Sequence, residues 1–128
     1  MTDARITHIR QPPRELICVD GELDLANVAK LKIEVRSALE RDPALIFIDL
    51  RGCEFIDSSV IAALIELHRS LDGARSTVLA VIARGGPLRV LGLTAVDEAM
   101  PVFETMVDAL QALDRPGRDG AALASTSS

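Results

Sequence analysis

Residues 44–64 of the chain read ALIFIDLRGCEFIDSSVIAAL. The first part, Ala44–Leu50, is almost continuously apolar, which is typical of a central strand covered on one or both faces. Beyond the polar junction Asp57-Ser58-Ser59, apolar residues return at helical spacing and predict a helix with Ile61, Leu64, Leu67 or His68, and Leu71 facing inward. This stretch therefore predicts a buried strand that leads into a helix through a junction carrying two hydroxyl groups.

The residues before this stretch predict two strands and a helix. Ala4–Ile9 predicts an edge strand, joined by a hairpin at Pro12-Pro13 to a second strand at Leu16–Val19. The next apolar residues recur at spacings of three and four and predict a helix that buries Val28, Leu31, Val35 and Leu39. We expect this helix to end near Asp42, because a residue before proline disfavours helical dihedrals.

The residues after the stretch predict two strands and two helices. We expect Gly73 to end the second helix and Thr77–Ile82 to form another buried strand. Gly85-Gly86-Pro87 predicts a turn whose proline opens a short helix to Leu91, closed by Gly92. Met100–Phe103 predicts a short edge strand, and Thr105–Asp108 has the capping-box pattern of a final helix with inward-facing Met106, Ala109, Leu110 and Leu113.

These elements alternate in the order β-β-α-β-α-β-α-β-α, which predicts the α/β class with a mixed sheet and parallel crossovers. The length of 128 residues suits one domain, which we assign to residues 1–113. Residues 114–128 are rich in Gly, Ala, Ser, Thr and charged residues, so we expect a disordered C-terminal tail.

Composition excludes several classes of function. The formal charge is −5, no basic run is present, and the only aromatic residues are three phenylalanines. Such a chain is poorly suited to nucleic acid or to anionic lipid. There is no signal-peptide pattern and no apolar run long enough to span a membrane, so we expect a cytoplasmic protein with two buried or half-buried thiols.

The polar junction and three other polar motifs allow more than one interpretation. Either Asp57 or Ser58 suits the helix N-cap, and Ser59 is then a neutral first-turn residue or a functional one. A serine nucleophile would need a GxSxG elbow and a nearby base, whereas His68 lies two to three turns along the same helix. Gly85-Gly86 lacks the rest of a phosphate-binding motif, the acids Asp20, Glu22 and Asp24 lack the spacing of a calcium loop, and neither histidine has ligand spacing. We therefore predict no enzyme activity, no cofactor and no metal site.

The junction also resembles a family signature. Asp57-Ser58-Ser59 is similar to the start of the D-S-S-G-L motif of the STAS domain, typified by anti-sigma factor antagonists. Gly21–Asp24 resembles the G-E-L-D element of that family, Ile46–Leu50 its central strand, and Leu88–Leu93 its short third helix with the following turn. The resemblance covers about residues 4–113.

The resemblance implies a fold, a function and partners. The fold would be a mixed four- to five-stranded sheet with about four helices packed mainly on one side. The protein would be an anti-sigma factor antagonist that captures an anti-sigma switch kinase and thereby frees a sigma factor. It would act as a monomer or weak dimer, phosphorylation by the kinase would abolish capture, and a serine phosphatase would reset the switch. The alternative is a STAS scaffold or transport-complex subunit that is never phosphorylated.

The resemblance also assigns residues by position. Ser59 would accept the phosphate, and the partner-binding set would be Asp24, Asp57, Ser58, Ser59 and Val60, together with the exposed side of the helix from Ser59 to Asp72. Val60 departs from the family pattern, which usually has glycine there. A β-branched residue stiffens the first turn of the helix and limits close backbone approach beside Ser59.

Overall fold

The computed structural model describes residues 3–71, 76–94 and 96–113. Within them the chain forms, in order, β1 (Ala4–Gln11), β2 (Arg14–Leu23), α1 (Val28–Leu39), β3 (Leu45–Ile56), α2 (Ser58–Arg69), β4 (Val78–Ile82), α3 (Gly85–Gly92), α4 (Val96–Ala99), β5 (Val102–Phe103) and α5 (Met106–Leu113). The predicted cap at Gly73 and the predicted tail at 114–128 lie outside the described residues.

The five strands form one mixed sheet in chain order. β1 pairs antiparallel with β2, and β2 to β5 pair in parallel, each parallel pair being joined by a helical crossover. The predicted α/β class and the predicted order of strands and helices are confirmed, with the single-turn helix α4 added between α3 and β5. Four residues are too few to reveal a helical period, which is why the sequence gives no signal for α4.

The central strand β3 is buried on both faces of the sheet. Ile46, Ile48 and Leu50 pack in the main core with residues of α1, α2, α3 and α4. Because side chains alternate along a strand, Leu45 and Phe47 point to the other face, where they pack with Ala109 of α5. Four helices therefore cover one face and only α5 covers the other, which matches the expected one-sided arrangement.

The helical stripe of α1 is as predicted, and that of α2 is wider. Val28, Leu31, Val35 and Leu39 are all buried. On α2, Leu64 and Leu67 are buried as expected, but the core also takes Val60 and Ala63, while Ile61 is only half-buried. The two thiols are buried or half-buried as predicted, since Cys53 is buried and Cys18 is half-buried. Burial raises the pKa of each thiol.

Several element boundaries differ from the prediction. β2 continues to Leu23 and β3 to Ile56, because register shifts between Cys18 and Asp20 and between Gly21 and Glu22 let the strands stay paired through polar residues. α3 begins at Gly85 and not at Pro87. None of the helices in the described residues has the length and apolar character needed to cross a bilayer.

The bulged end of β2 depends on a glycine. Gly21 has φ +107°, and a Cβ there would lie 2.1 Å from the carbonyl oxygen of Asp3, the residue just before the paired strand β1. Only glycine adopts this backbone conformation without strain, so this position fixes how β2 reaches the loop that follows it.

Replacement of Gly21 by alanine should therefore destabilise the domain. We expect Gly21→Ala to lower the free energy of unfolding by at least about 1–2 kcal/mol, the cost of a left-handed conformation for an L-residue. Chemical denaturation measures this change. The matched control is Gly92→Ala, where the added Cβ meets no atom within 4 Å, and its stability should be unchanged or slightly higher. Equal stability of Gly21→Ala and wild type would contradict the argument.

A cluster of ionisable side chains around the buried Glu15 lies at the opposite end of the sheet. The Glu15 side chain is only 4% exposed and accepts hydrogen bonds from Arg41 at 2.6 and 2.8 Å. The His8 ring bridges Glu15 at 2.6 Å and Glu34 at 2.9 Å. The hydrogen bonds from Arg41 lower the pKa of Glu15 below its ordinary value of 4.5.

This cluster should make stability depend on pH in the acidic range. Because the folded pKa of Glu15 is lowered, its stabilising contribution is complete above about pH 4.5 and declines as the pH falls through the lowered value. Glu15→Gln should therefore show a weaker loss of stability on acidification than wild type, measured by denaturation at a series of pH values. The exposed Glu104→Gln serves as the control and should keep the wild-type slope; a Glu15→Gln slope equal to it would refute this role.

Candidate functional site

Two loops meet at the edge of the sheet where β2 and β3 end. These strands are parallel neighbours, so the segment after β2 and the segment after β3 emerge side by side. The backbone N–H of Leu25 donates a hydrogen bond to Oδ2 of Asp57 at 3.2 Å. The structure therefore brings the Asp24 loop against the Asp57–Ser59 junction, as the resemblance implies.

Asp57, and not Ser58, caps α2. Its backbone is extended, with φ −115° and ψ −175°, and its Oδ1 accepts from the backbone N–H of Ser59 at 2.9 Å. The hydroxyl of Ser59 donates to the same oxygen at 2.5 Å. These bonds, led by that of the Ser59 hydroxyl, lower the pKa of Asp57, so the carboxylate is charged at neutral pH. The Asp57 side chain thus caps the first turn of α2 and also holds the Ser59 hydroxyl in place.

The three residues after Asp57 differ sharply in exposure. Ser58 is exposed, Ser59 is half-buried, and Val60 is fully buried. The prediction that Val60 belongs to the contact surface is therefore wrong: it is part of the main core. The reason is helical geometry, since Val60 lies on the same stripe as Ala63, Leu64 and Leu67. Because its side chain points inward, it adds no bulk to the surface around Ser59.

The turn after β2 is organised by a residue that the sequence analysis missed. The side chain of Asn27 is buried and accepts from the N–H of Asp24 at 2.8 Å, while its amide donates to the Glu22 carbonyl at 2.9 Å. Asn27 precedes α1 but its side chain does not cap that helix. The sequence does show a polar residue at the N-cap position of α1. Its hydrogen-bond partners precede it in the chain, however, and residue spacing alone does not predict them.

The predicted contact face along α2 is shorter than expected. The helix ends at Arg69 and is followed by a turn at Ser70 and Leu71, and Asp72 lies outside the described residues. Its solvent-facing residues are Ser58, Ala62, Glu66 and Arg69. Of these, Ser58 and Ala62 lie in the first half of the helix, on the side of Ser59.

The site lies on the surface of the domain, away from His68. His68 is nine residues from Ser59 on one helix, about 13 Å along its axis, and it lines a separate cleft with Thr77 and Pro101. No group of three or more His, Cys, Asp or Glu side chains in the described ranges is placed to hold a metal ion. Gly85 and Gly86 form the first turn of α3, and not a separate turn before it. The arrangement offers two hydroxyls, those of Ser58 and Ser59, and two carboxylates, those of Asp24 and Asp57, on a protein surface.

A family model covers the part of the chain that forms this site. The model of the STAS domain matches residues 8–109. The chain belongs to the STAS domain family. The match spans β2 to β5 and includes both loops of the site, so the resemblance in the sequence motifs extends over the whole domain.

The proteins that this chain is similar to include anti-sigma factor antagonists. The chain is 29% identical over 107 residues to the anti-sigma-F factor antagonist RsfB of Mycobacterium tuberculosis, covering 80% of this chain and 83% of that protein. The crystal structure of an anti-sigma factor antagonist from Mycobacterium paratuberculosis superposes with TM-score 0.80 at 25% identity, over 88% of this chain and 96% of that one. The Bacillus cell fate determinant SpoIIAA, solved in its phosphorylated form, has the same fold with TM-score 0.59 at 20% identity, over 84% and 98%.

The capping role of Asp57 gives a direct prediction for this STAS domain. Asp57→Ala removes the acceptor of the Ser59 and Leu25 N–H groups, so it should lower the free energy of unfolding by about 0.5–2 kcal/mol, the usual cost of losing an N-cap. Chemical denaturation at neutral pH measures it. Asp57→Asn, which keeps a capping oxygen, should recover most of the loss, and a fully stable Asp57→Ala protein would contradict the assignment of the cap.

Proposed function

We propose that this STAS domain is an anti-sigma factor antagonist that acts in the cytoplasm. It binds an anti-sigma factor of the switch-kinase type and so frees a sigma factor. The contact surface consists of Asp24, Asp57, Ser58, Ser59 and the exposed first half of α2. One observation carries the proposal: the Ser59 hydroxyl stands, half-exposed, at the joint of two loops on the surface of a STAS domain.

The relatives support both parts of this function. RsfB is named as an anti-sigma-F factor antagonist, and this chain covers most of its length. SpoIIAA has been solved in a phosphorylated form, which supports a phosphate switch in domains of this fold. Ser59 is the residue that matches the phosphate acceptor of the family motif, and its environment is a helix N-terminus, where an anion is favoured.

A phosphate on Ser59 would change the surface far more than the fold. The γ-phosphoryl group of ATP would pass to the Ser59 oxygen, with loss of the hydroxyl proton and release of ADP. The new group carries about −1.5 to −2 charges, and the α2 dipole stabilises it by roughly 0.3–1 kcal/mol. Repulsion from Asp57 offsets part of this gain, so the net effect on folding is small. At an interface, like charges placed together cost several kcal/mol, which is on the order of a hundredfold in affinity.

Modification of Ser59 is the first test. Each purified anti-sigma factor encoded by the same genome is incubated with the chain and ATP, and the products are mapped by mass spectrometry. We expect one phosphate on Ser59 in the wild type, none in Ser59→Ala, and normal modification in Ser70→Ala, which changes a serine at the far end of α2. An anti-sigma factor that binds the chain without modifying it would favour the non-phosphorylated scaffold or transport-complex subunit.

Mimicry of the phosphate is the second test. Ser59→Asp should bind the same anti-sigma factor about a hundredfold more weakly than wild type or Ser59→Ala, measured by calorimetry. Its melting temperature should remain close to that of wild type, because the added charge lies at a favourable helix terminus. A large drop in melting temperature would mean that the switch acts by unfolding the domain, which contradicts the surface mechanism.

A further inference from the structure

Leu25 is an apolar side chain in an unusual place. It is 76% exposed and lies at the tip of the loop after β2, between Asp24 and Ala26. Single exposed leucines are common and need no explanation by themselves. This one is different because its own backbone N–H is bonded to Asp57, the residue that holds the Ser59 hydroxyl.

The loop that carries Leu25 is rigid. Oδ1 of Asp24 accepts from the N–H of Ala26 at 2.9 Å, and the Asp24 carbonyl accepts from the N–H of Val28 at 2.8 Å. Buried Asn27 fixes the loop to the end of β2 through the Glu22 carbonyl. A side chain presented on a backbone already fixed in this way loses little conformational entropy on docking, so it is suited to be a binding anchor.

The charges around Leu25 indicate the chemistry of the surface that covers it. Asp24 and Asp57 flank it, whereas the three cations of α1, the helix that follows this loop, are engaged with other carboxylates. Lys30 pairs with Asp3 at 3.5 Å, and Lys32 and Arg36 pair with Glu66 at 3.1 and 2.6 Å. This surface therefore consists of an apolar side chain surrounded by acidic residues. A complementary partner surface would be an apolar recess with Lys or Arg at its rim.

We propose that Leu25 is the apolar anchor by which this chain binds its anti-sigma factor, entering a recess with a basic rim, and that Asp57 is the residue that positions it. The inference rests on the proposed function and names a contact residue outside the family motif. A second exposed apolar residue, Phe55, lies two positions before Asp57, at the same end of the sheet.

The shared carboxylate connects this anchor to the switch. Oδ1 of Asp57 holds the Ser59 hydroxyl and Oδ2 holds the Leu25 N–H. Phosphorylation would remove the hydroxyl proton that Ser59 donates to Oδ1, and repulsion between the phosphate and the carboxylate would weaken the hydrogen bond from the Leu25 N–H to Oδ2. Phosphorylation would then act twice, by adding charge to the interface and by releasing the backbone that presents Leu25.

The anchor is tested with the purified anti-sigma factor that binds the wild-type chain. Leu25→Ala should weaken binding at least about tenfold, as truncation of an interface anchor does, with an unchanged melting temperature. Leu25→Met, which keeps most of the apolar volume, should restore most of the affinity. The matched control is Val107→Ala, since Val107 is 61% exposed on α5, on the opposite face of the sheet, and it should bind like wild type.

A double-mutant cycle tests the positioning role of Asp57. Asp57→Ala should weaken binding by a larger factor in the wild-type background than in the Leu25→Ala background, because part of its effect passes through Leu25. Equal factors in the two backgrounds would overturn that role. Equal binding of Leu25→Ala and wild type would overturn the anchor while leaving the proposed function intact, whereas a wild-type chain that binds none of the anti-sigma factors overturns both.

Discussion

The Asp57 carboxylate is the contact on which the site depends. It accepts the N–H of Ser59, the hydroxyl of Ser59 and the N–H of Leu25, and so joins the start of α2 to the loop after β2. Without an acceptor at this position, the first turn of α2 would leave its donors unsatisfied and the two loops would share no hydrogen bond through this side chain. The same three bonds lower the pKa of the Asp57 carboxylate, which carries its negative charge beside the hydroxyl at neutral pH.

The sheet makes this contact possible by its order. Because β2 and β3 are adjacent and parallel, their loops leave the same edge of the sheet next to each other. The core beneath holds that edge in place: Ile48 and Leu50 of β3 and Val60 of α2 are buried together in one cluster. The inner faces of α1 and α2 are buried in this core, so only their outer faces are exposed to solvent. The result is a rigid surface that can be altered by one modification without any change of fold.

The sequence was most informative where one face of an element is buried. The α1 stripe and the apolar run of β3 were predicted residue by residue, because core packing imposes a period that can be read from one chain. The motif comparison also located Asp24, Asp57 and Ser59 correctly in one neighbourhood. It could not say which of Asp57 and Ser58 caps α2, since both residue types are good caps.

The remaining details depend on contacts between distant segments. Val60 is the exception: it follows a polar junction, but it lies at helical spacing from Ala63, Leu64 and Leu67, so its burial follows a local pattern that the motif comparison passed over. The roles of Asn27 and of the Leu25 N–H depend on hydrogen bonds across the turn and across 32 positions of the chain. Register shifts beside Gly21 extend β2 and β3 beyond their apolar runs. The hydrogen bonds and the register shifts have no local pattern, because they depend on how distant segments meet at the ends of β2 and β3.

The most direct test of the account is to map the contact surface in solution. Backbone amide signals of the labelled chain would be followed by NMR during titration with the purified anti-sigma factor. The account predicts that the largest changes fall on Asp24, Leu25 and residues 57–62, with the Glu15–Arg41 end of the sheet and α5 unaffected. Changes centred on that opposite end, or on α5, would contradict it.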